Sequence, residues 1–179
     1  MGRSDSPLTE EGIRTSRELA RMLASEGIDA IFSSPLGRAV FSAGIYAETH
    51  GLPVQVREGM AELSCGDWEG RPRSSATHNA WNLRETWRQR PPGGESYEDS
   101  EPRVAAFIRE IGLEKISPVV LVVGHAGVNR VFLKLWLELT EEQAMRIMFP
   151  HEIVYMLDGR TGVRARSATG EEFSGLLLD

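Results

Sequence analysis

The stretch Pro118-Val119-Val120-Leu121-Val122-Val123, running straight into Gly124-His125-Ala126-Gly127, decides how this chain is read. An apolar run this β-branched, with no polar alternation, predicts a strand buried on both faces, as in a parallel sheet. The glycines after it predict a tight exit into a helix over Val128–Leu139. Working outward, the same strand-to-helix pattern occurs earlier: Ile28-Asp29-Ala30-Ile31-Phe32 reads as a strand, Ser33-Ser34-Pro35 ends it, and a helix over Leu36–His50 closes at Gly51. A helix over Thr9–Ser25 precedes it, and Val54-Gln55-Val56 reads as another strand. A helix over Glu101–Ile111 has Pro102 in its first turn and Gly112 after it. Thr140 with Gln143 forms a capping-box pattern, and Ile153–Leu157, Asp158-Gly159 and Val163–Arg166 read as a hairpin. Strands alternating with helices predict an α/β fold, a three-layer α/β/α sandwich whose mainly parallel sheet carries a late antiparallel strand. One domain is expected over residues 1–179.

Bulk chemistry narrows the function. The net charge of −6 argues against a protein that coats nucleic acid. No apolar run approaches a membrane span, and the start, Met1-Gly2-Arg3-Ser4-Asp5-Ser6, lacks a secretory apolar stretch, so a soluble cytoplasmic protein is expected. A single cysteine, Cys65, excludes an internal disulfide framework and a cysteine-based zinc site. Of the 20 basic residues all but Lys115 and Lys134 are Arg, which suits bidentate grip on phosphate but equally reflects compositional bias.

The middle of the chain is less regular. Trp68, Trp81 and Trp87 precede Pro91-Pro92-Gly93-Gly94, the strongest breaker in the sequence. This predicts an excursion at about 70–100. Arg71, Arg73, Arg84, Arg88 and Arg90 with Trp81 and Trp87 either form a lid over an anionic substrate or are a solvated helix anchored by tryptophans on the core.

In open α/β sheets ligands bind beyond the carboxyl ends of the strands. The first junction places Arg38 in the first turn of a helix, and the last places His125 beside backbone N–H groups at a helix start, where the dipole favours an anion. Glu62 follows the Val54–Val56 strand as a carboxylate available for proton transfer. Together these residues form an oxyanion- or phosphate-binding constellation.

Ser4-Asp5-Ser6-Pro7-Leu8-Thr9-Glu10-Glu11-Gly12, Ser33-Ser34-Pro35-Leu36-Gly37-Arg38-Ala39, Glu62 with Gly66-Asp67-Trp68-Glu69-Gly70, Pro92-Gly93-Gly94-Glu95-Ser96 and Val123-Gly124-His125-Ala126-Gly127-Val128 occur in that order. This ordered set resembles the histidine phosphatase superfamily, with its phosphoglycerate-mutase-like fold, in the phosphatase branch. The Gly-Asp-Trp-Glu segment is similar to the small phosphatases that include α-ribazole phosphatase. The resemblance implies hydrolysis of small phosphomonoesters through a phosphohistidine, without a metal or other cofactor. It implies that Arg38, His125 and the Ala126 N–H bind phosphate, that Glu62 and His125 are catalytic, and that Gly2 and Arg3 meet substrate. The implied partner is a small phosphorylated substrate, with no nucleic acid and no membrane.

The family's Arg-His-Gly strand would lie upstream of Gly2, and no Arg-His-Gly occurs in these 179 residues. His50 in Thr49-His50-Gly51 sits at a predicted helix C-terminus, which repels anions; His78 reads as exposed in the polar excursion, and His151, next to Pro150, could lie at the site edge but the structural reading is favoured. A late-assigned start, a fragment, or a degenerate homologue that binds phospho-ligands without turnover would each explain this, and the retention of Arg38, Glu62 and His125 favours the first two. Since the family places that strand inside the sheet, its loss predicts unpaired strand edges and some tendency to self-associate. A phosphoglycerate mutase is the third reading, ranked last.

Overall fold

The computed structural model describes residues 2–4, 6–70, 84–112 and 119–179. Helix α1 (Glu10–Met22) starts where Thr9 accepts the Gly12 N–H and carries Glu10 and Glu11 in its first turn, complementing the helix dipole. Strand β1 (Ala30–Ser33) leads into α2 (Gly37–His50), whose end is closed by Gly51 in the left-handed region at φ 65°. Strand β2 (Val54–Val56) is followed by two 3₁₀ turns, Glu58–Met60 and Gly66–Trp68. Then come α3 (Tyr97–Gly112), β3 (Val120–Val123), α4 (Ala126–Trp136), α5 (Glu141–Met145) and the strands β4 (Ile153–Asp158), β5 (Gly162–Ser167) and β6 (Glu172–Ser174). The Thr140–Gln143 capping box forms as the spacing predicts, with both reciprocal bonds present.

Two three-stranded sheets are present among the described residues. One is parallel, in the order β2-β1-β3; the other is antiparallel, in the order β4-β5-β6. Alternation along β1 sends Ile31 to one face and Phe32 to the other, and both side chains are buried. Ile31 packs with Leu19, Ala20 and Leu23 of α1 and Ala43 and Tyr46 of α2. Phe32 packs with Val104, Phe107 and Ile108 of α3 and Val128, Val131 and Phe132 of α4. Helices therefore cover both faces of the parallel sheet.

β3 and β4 contribute to the same two clusters. Leu121, Val123 and Val154 join the α1/α2 side, while Val120, Val122, Tyr155 and Leu157 join the α3/α4 side. Yet β3 pairs only with β1 and β4 only with β5 among the described residues. The two strands share both apolar layers with no ladder between them.

This corrects one expectation. β3 is half-buried along its whole length instead of buried on both faces, because only one of its edges is paired among the described residues. A second correction concerns α3, which begins a turn before Glu101. Ser96 accepts the Asp99 N–H while Asp99 accepts both the Ser96 N–H and its hydroxyl, so the start signal is Ser-x-x-Asp and not Pro102, which lies inside the helix at an exposed position. β6 has no counterpart in the sequence reading; its three residues are too short a run to stand out.

The excursion is described from Arg84 onward. Trp87 is buried, stacked on Tyr97 at 4.8 Å between ring centroids, and its indole N–H donates to Glu101. Arg88 pairs with Glu98, and Arg90 with Asp99. Arg84 donates to the carbonyls of Glu95 and Ser64. For Trp87 the core-anchoring alternative holds, but residues 84–90 form turns and not the helix that alternative expects, and the guanidinium groups of Arg84, Arg88 and Arg90 are engaged by neighbouring acids and carbonyls. Arg71, Arg73, His78 and Trp81 lie outside the described residues.

Candidate functional site

The three strand-to-helix or strand-to-loop exits of the parallel sheet open on one edge, because the strands run the same way. β1 delivers Ser34 and, in the first turn of α2, Arg38; β3 delivers His125; β2 delivers, through one 3₁₀ turn, Glu62.

Arg38 and His125 are in contact. The Arg38 Nε donates to His125 Nδ1 at 3.3 Å. A guanidinium has no acceptor, so Nδ1 is the unprotonated ring nitrogen and Nε2 carries the proton. Nε2 then donates to the Ser34 hydroxyl at 2.7 Å, and that hydroxyl also accepts the Leu36 N–H. Ser34 is fully buried, so this end of the imidazole is held from inside the fold. His125 occupies the N-cap position of α4 in extended conformation.

The other two Arg38 nitrogens reach the N-terminal segment, Nη1 to the Ser4 carbonyl at 2.9 Å and Nη2 to the Gly2 carbonyl at 2.8 Å. On the opposite side of that segment, Glu69 accepts the N–H groups of Arg3 and Ser4, and that of Cys65 as well. Gly2 has φ +46°, and a Cβ there would overlap the Glu69 carboxylate. Burial pushes the Glu69 carboxyl up, but these three backbone donors outweigh it and hold the group below its ordinary value of 4.5. Burial pushes the neighbouring Cys65 thiol up. Glu69 is visible in the sequence only as part of a motif; two of its three partners, Arg3 and Ser4, lie more than sixty positions away.

Glu62 is oriented by the start of α4. Its Oε1 accepts the N–H of Val128 at 3.1 Å and of Leu63 at 2.8 Å, and its Oε2 accepts the N–H of Gly127 at 3.2 Å. A Cβ at position 127 would lie 2.5 Å from Glu62 Oε1, which is the local reason for glycine there. The helix N-terminus thus meets an anion, as the dipole favours, but the anion is a side chain of the protein. The Ala126 N–H lies one residue nearer the tip and has no hydrogen-bond partner among the described residues.

Arg3 lies at the rim, half exposed, with Nε on the Glu62 carbonyl and Nη2 on Glu95. The structure therefore brings Gly2, Arg3, Arg38, Glu62 and His125 to one edge, with Ala126 beside them. His50 ends α2 with its Nε2 buried and without a hydrogen-bond partner among the described residues, and His151 is exposed beyond α5. No group of three or more His, Cys, Asp or Glu suited to a metal occurs among the described residues. No described helix is long and apolar enough to cross a membrane.

An arginine on a histidine at a helix start, with a carboxylate held nearby, is a constellation suited to phosphoryl groups. Comparison with known proteins agrees: the family model of the histidine phosphatase superfamily, branch 1, matches residues 1–165. The chain belongs to that superfamily.

It is 32% identical over 178 residues to a bifunctional protein of Mycobacterium tuberculosis, covering 94% of this chain and 49% of that protein. A probable phosphoglycerate mutase of Yersinia pestis is 40% identical over 93 residues, 52% of this chain and 41% of the relative. The chain thus spans about half the length, or less, of these curated relatives. Among solved structures, mycobacterial glucosyl-3-phosphoglycerate phosphatase in complex with VO3 superposes with a TM-score of 0.75 at 25% identity, covering 93% of this chain and 88% of that one. The α-ribazole phosphatase of Shigella flexneri has a TM-score of 0.71 at 22% identity over 99% of this chain and 87% of that one, a likeness of fold.

Proposed function

We propose that this chain carries the phosphate-binding and proton-transfer part of a metal-independent phosphatase of small phosphomonoesters. The observation that carries the reading is the contact of Arg38 with His125 beside Glu62. In the reaction the family implies, a histidine nitrogen attacks phosphorus and the ester P–O bond breaks. Glu62 protonates the leaving oxygen, then takes a proton from the water that attacks the phosphohistidine and releases orthophosphate. Arg38 and His125 bind the transferring oxygens, the Ala126 N–H adds a backbone donor, and Gly2 and Arg3 border the substrate.

In this reading the phosphoryl-accepting histidine belongs to an Arg-His-Gly segment, which does not occur in these 179 residues. The two apolar layers shared by β3 and β4, with no ladder between the strands, support an Arg-His-Gly strand lying between them and ending beside Arg38 and His125. The same reading expects a cytoplasmic protein. It also expects self-association through these edges when the strand is absent, which size-exclusion chromatography checks.

A second reading, a pseudophosphatase that binds phospho-ligands without turnover, is favoured by the Gly2 and Ser4 carbonyls already seated on Arg38. Intact mass of the protein from its own cells, with phosphate release from p-nitrophenyl phosphate, separates them. The phosphatase reading expects a mass above 19.9 kDa and release that is lost in His125→Ala. A mass matching the chain, with phosphate binding but no release, moves the assignment to the second reading. A well-folded longer form without release overturns the first.

A further inference from the structure

The loop from Gly59 to Ser64, which carries Glu62, is gripped by charged side chains, of which Arg103, Glu95 and Arg84 have no part in the proposed reaction. Arg103 of α3 sends Nη1 to the carbonyls of Gly59 at 2.8 Å and Ala61 at 2.7 Å. Its Nε faces Glu95 Oε1 at 3.4 Å, and its Nη2 faces Glu95 Oε2 at 3.5 Å. Glu95 in turn accepts the Ser64 N–H at 2.8 Å and returns its own N–H to the Ser64 carbonyl at 3.0 Å. Arg3 takes the Glu62 carbonyl and Arg84 the Ser64 carbonyl. The carbonyls of Gly59, Ala61, Glu62 and Ser64 thus each accept from a guanidinium.

Packing alone does not call for this. Met60, Ala61 and Leu63 are already buried, so the loop is anchored by apolar contacts. Apolar anchoring fixes a loop's depth but not its rotation, whereas bonds to successive carbonyls fix the peptide planes and with them the direction of the Glu62 side chain. A fork-shaped guanidinium spreads its donors over three nitrogens and so spans two carbonyls and a carboxylate; an ammonium holds its three donors on one atom and does not span them.

From this geometry we infer that Arg103 and Glu95 are positioning residues for Glu62, with Arg103 the main clamp; the inference rests on the proton-transfer role proposed above for Glu62. It gives a task to the Pro-Gly-Gly-Glu turn, which brings Glu95 beneath the loop. Gly59 fits the same design, since a Cβ there would lie 2.9 Å from the Arg103 carbonyl and push loop and helix apart.

The test is amide hydrogen exchange and ¹H–¹⁵N NMR on the 179-residue chain, reading Leu63, Gly127 and Val128, whose N–H groups bind the Glu62 carboxylate. Arg103→Met is expected to speed exchange at these three amides about tenfold or more. Arg103→Lys should not restore them, Glu95→Gln should give a smaller change of the same pattern, and Ala165 in β5 should be unaffected. Arg88→Ala, which removes exposed ion pairs near the same turn, serves as the control and should leave all of them unchanged. Unchanged amides in folded Arg103→Met overturn the inference. If that variant does not fold, Glu95→Gln decides: no shift at the three amides overturns it equally. In the phosphate-releasing form Arg103→Met should lower kcat with KM little changed. Disturbed amides in a protein whose longer form releases no phosphate would uphold the positioning role and reject the phosphatase reading.

Discussion

In the parallel sheet each strand leaves its carboxyl end into a loop or helix that carries a charged or titratable side chain, and Arg38, Glu62 and His125 end up at one edge. In the antiparallel sheet β4 returns as β5 through a turn with Gly159 at φ +62°, and β5 returns as β6 past Gly170 at φ +87°. Polar side chains there are spent on ion pairs, Arg166 with Glu26 and Glu172 and Arg164 with Glu172. Both sheets rest on the same two apolar clusters. Connection geometry, more than composition, separates them: parallel strands concentrate loop residues at one end, while hairpins disperse them.

The largest effect should come from the layer the sheets share. Phe32→Ala removes a fully buried ring that packs edge-on against Phe107, and should cost about 3–5 kcal/mol in urea unfolding. Monitored at Trp87 and at Tyr155, one coincident transition would mean the two sheets unfold together; two transitions would sharpen the comparison into two folding units.

His125→Ala should lower phosphate release by the competent form about 100- to 1000-fold with little change in stability. Arg166→Met, in the other sheet, should leave release unchanged; an equal loss would break the division of labour.

Gly127→Ala should reduce kcat about tenfold or more, because the added methyl displaces the Glu62 carboxylate from the start of α4. A variant with wild-type kcat would show that Glu62 does not need that orientation.

Glu69→Gln should destabilise by about 1–2 kcal/mol at neutral pH, since a neutral amide accepts the three N–H groups less strongly. Because the folded carboxyl titrates below 4.5, its contribution is present above that value and is lost as pH falls through the folded value. The gap between wild type and variant should therefore close on acidification; a constant gap would contradict it.

Arg166→Met should be the mildest, about 1 kcal/mol or less, and smaller in high salt.

Most of the fold was legible where the signal is local. The β-branched run before Gly124, the left-handed Gly51 and the Thr140–Gln143 box all announce their elements within a few residues. The start of α3 was misplaced because Pro102 is a louder signal than Ser96 and Asp99. β3 was read as fully buried because composition records apolarity but not how many edges are paired. At the site, Arg38, Glu62 and His125 could be named from their places after strands. The bonds that orient them could not: Glu62 meets Gly127 and Val128, and Arg38 meets Gly2 and Ser4, only through the fold. Two N–H groups of the helix N-terminus, those of Gly127 and Val128, hold Glu62, which the sequence does not announce.

The most direct test of the phosphate site at the parallel-sheet edge is calorimetric titration of the folded 179-residue chain with orthophosphate, beside Arg38→Ala and His125→Ala. Saturable binding to one site that both substitutions weaken at least about tenfold is the predicted result. No binding by the folded chain, or binding indifferent to both substitutions, would contradict it.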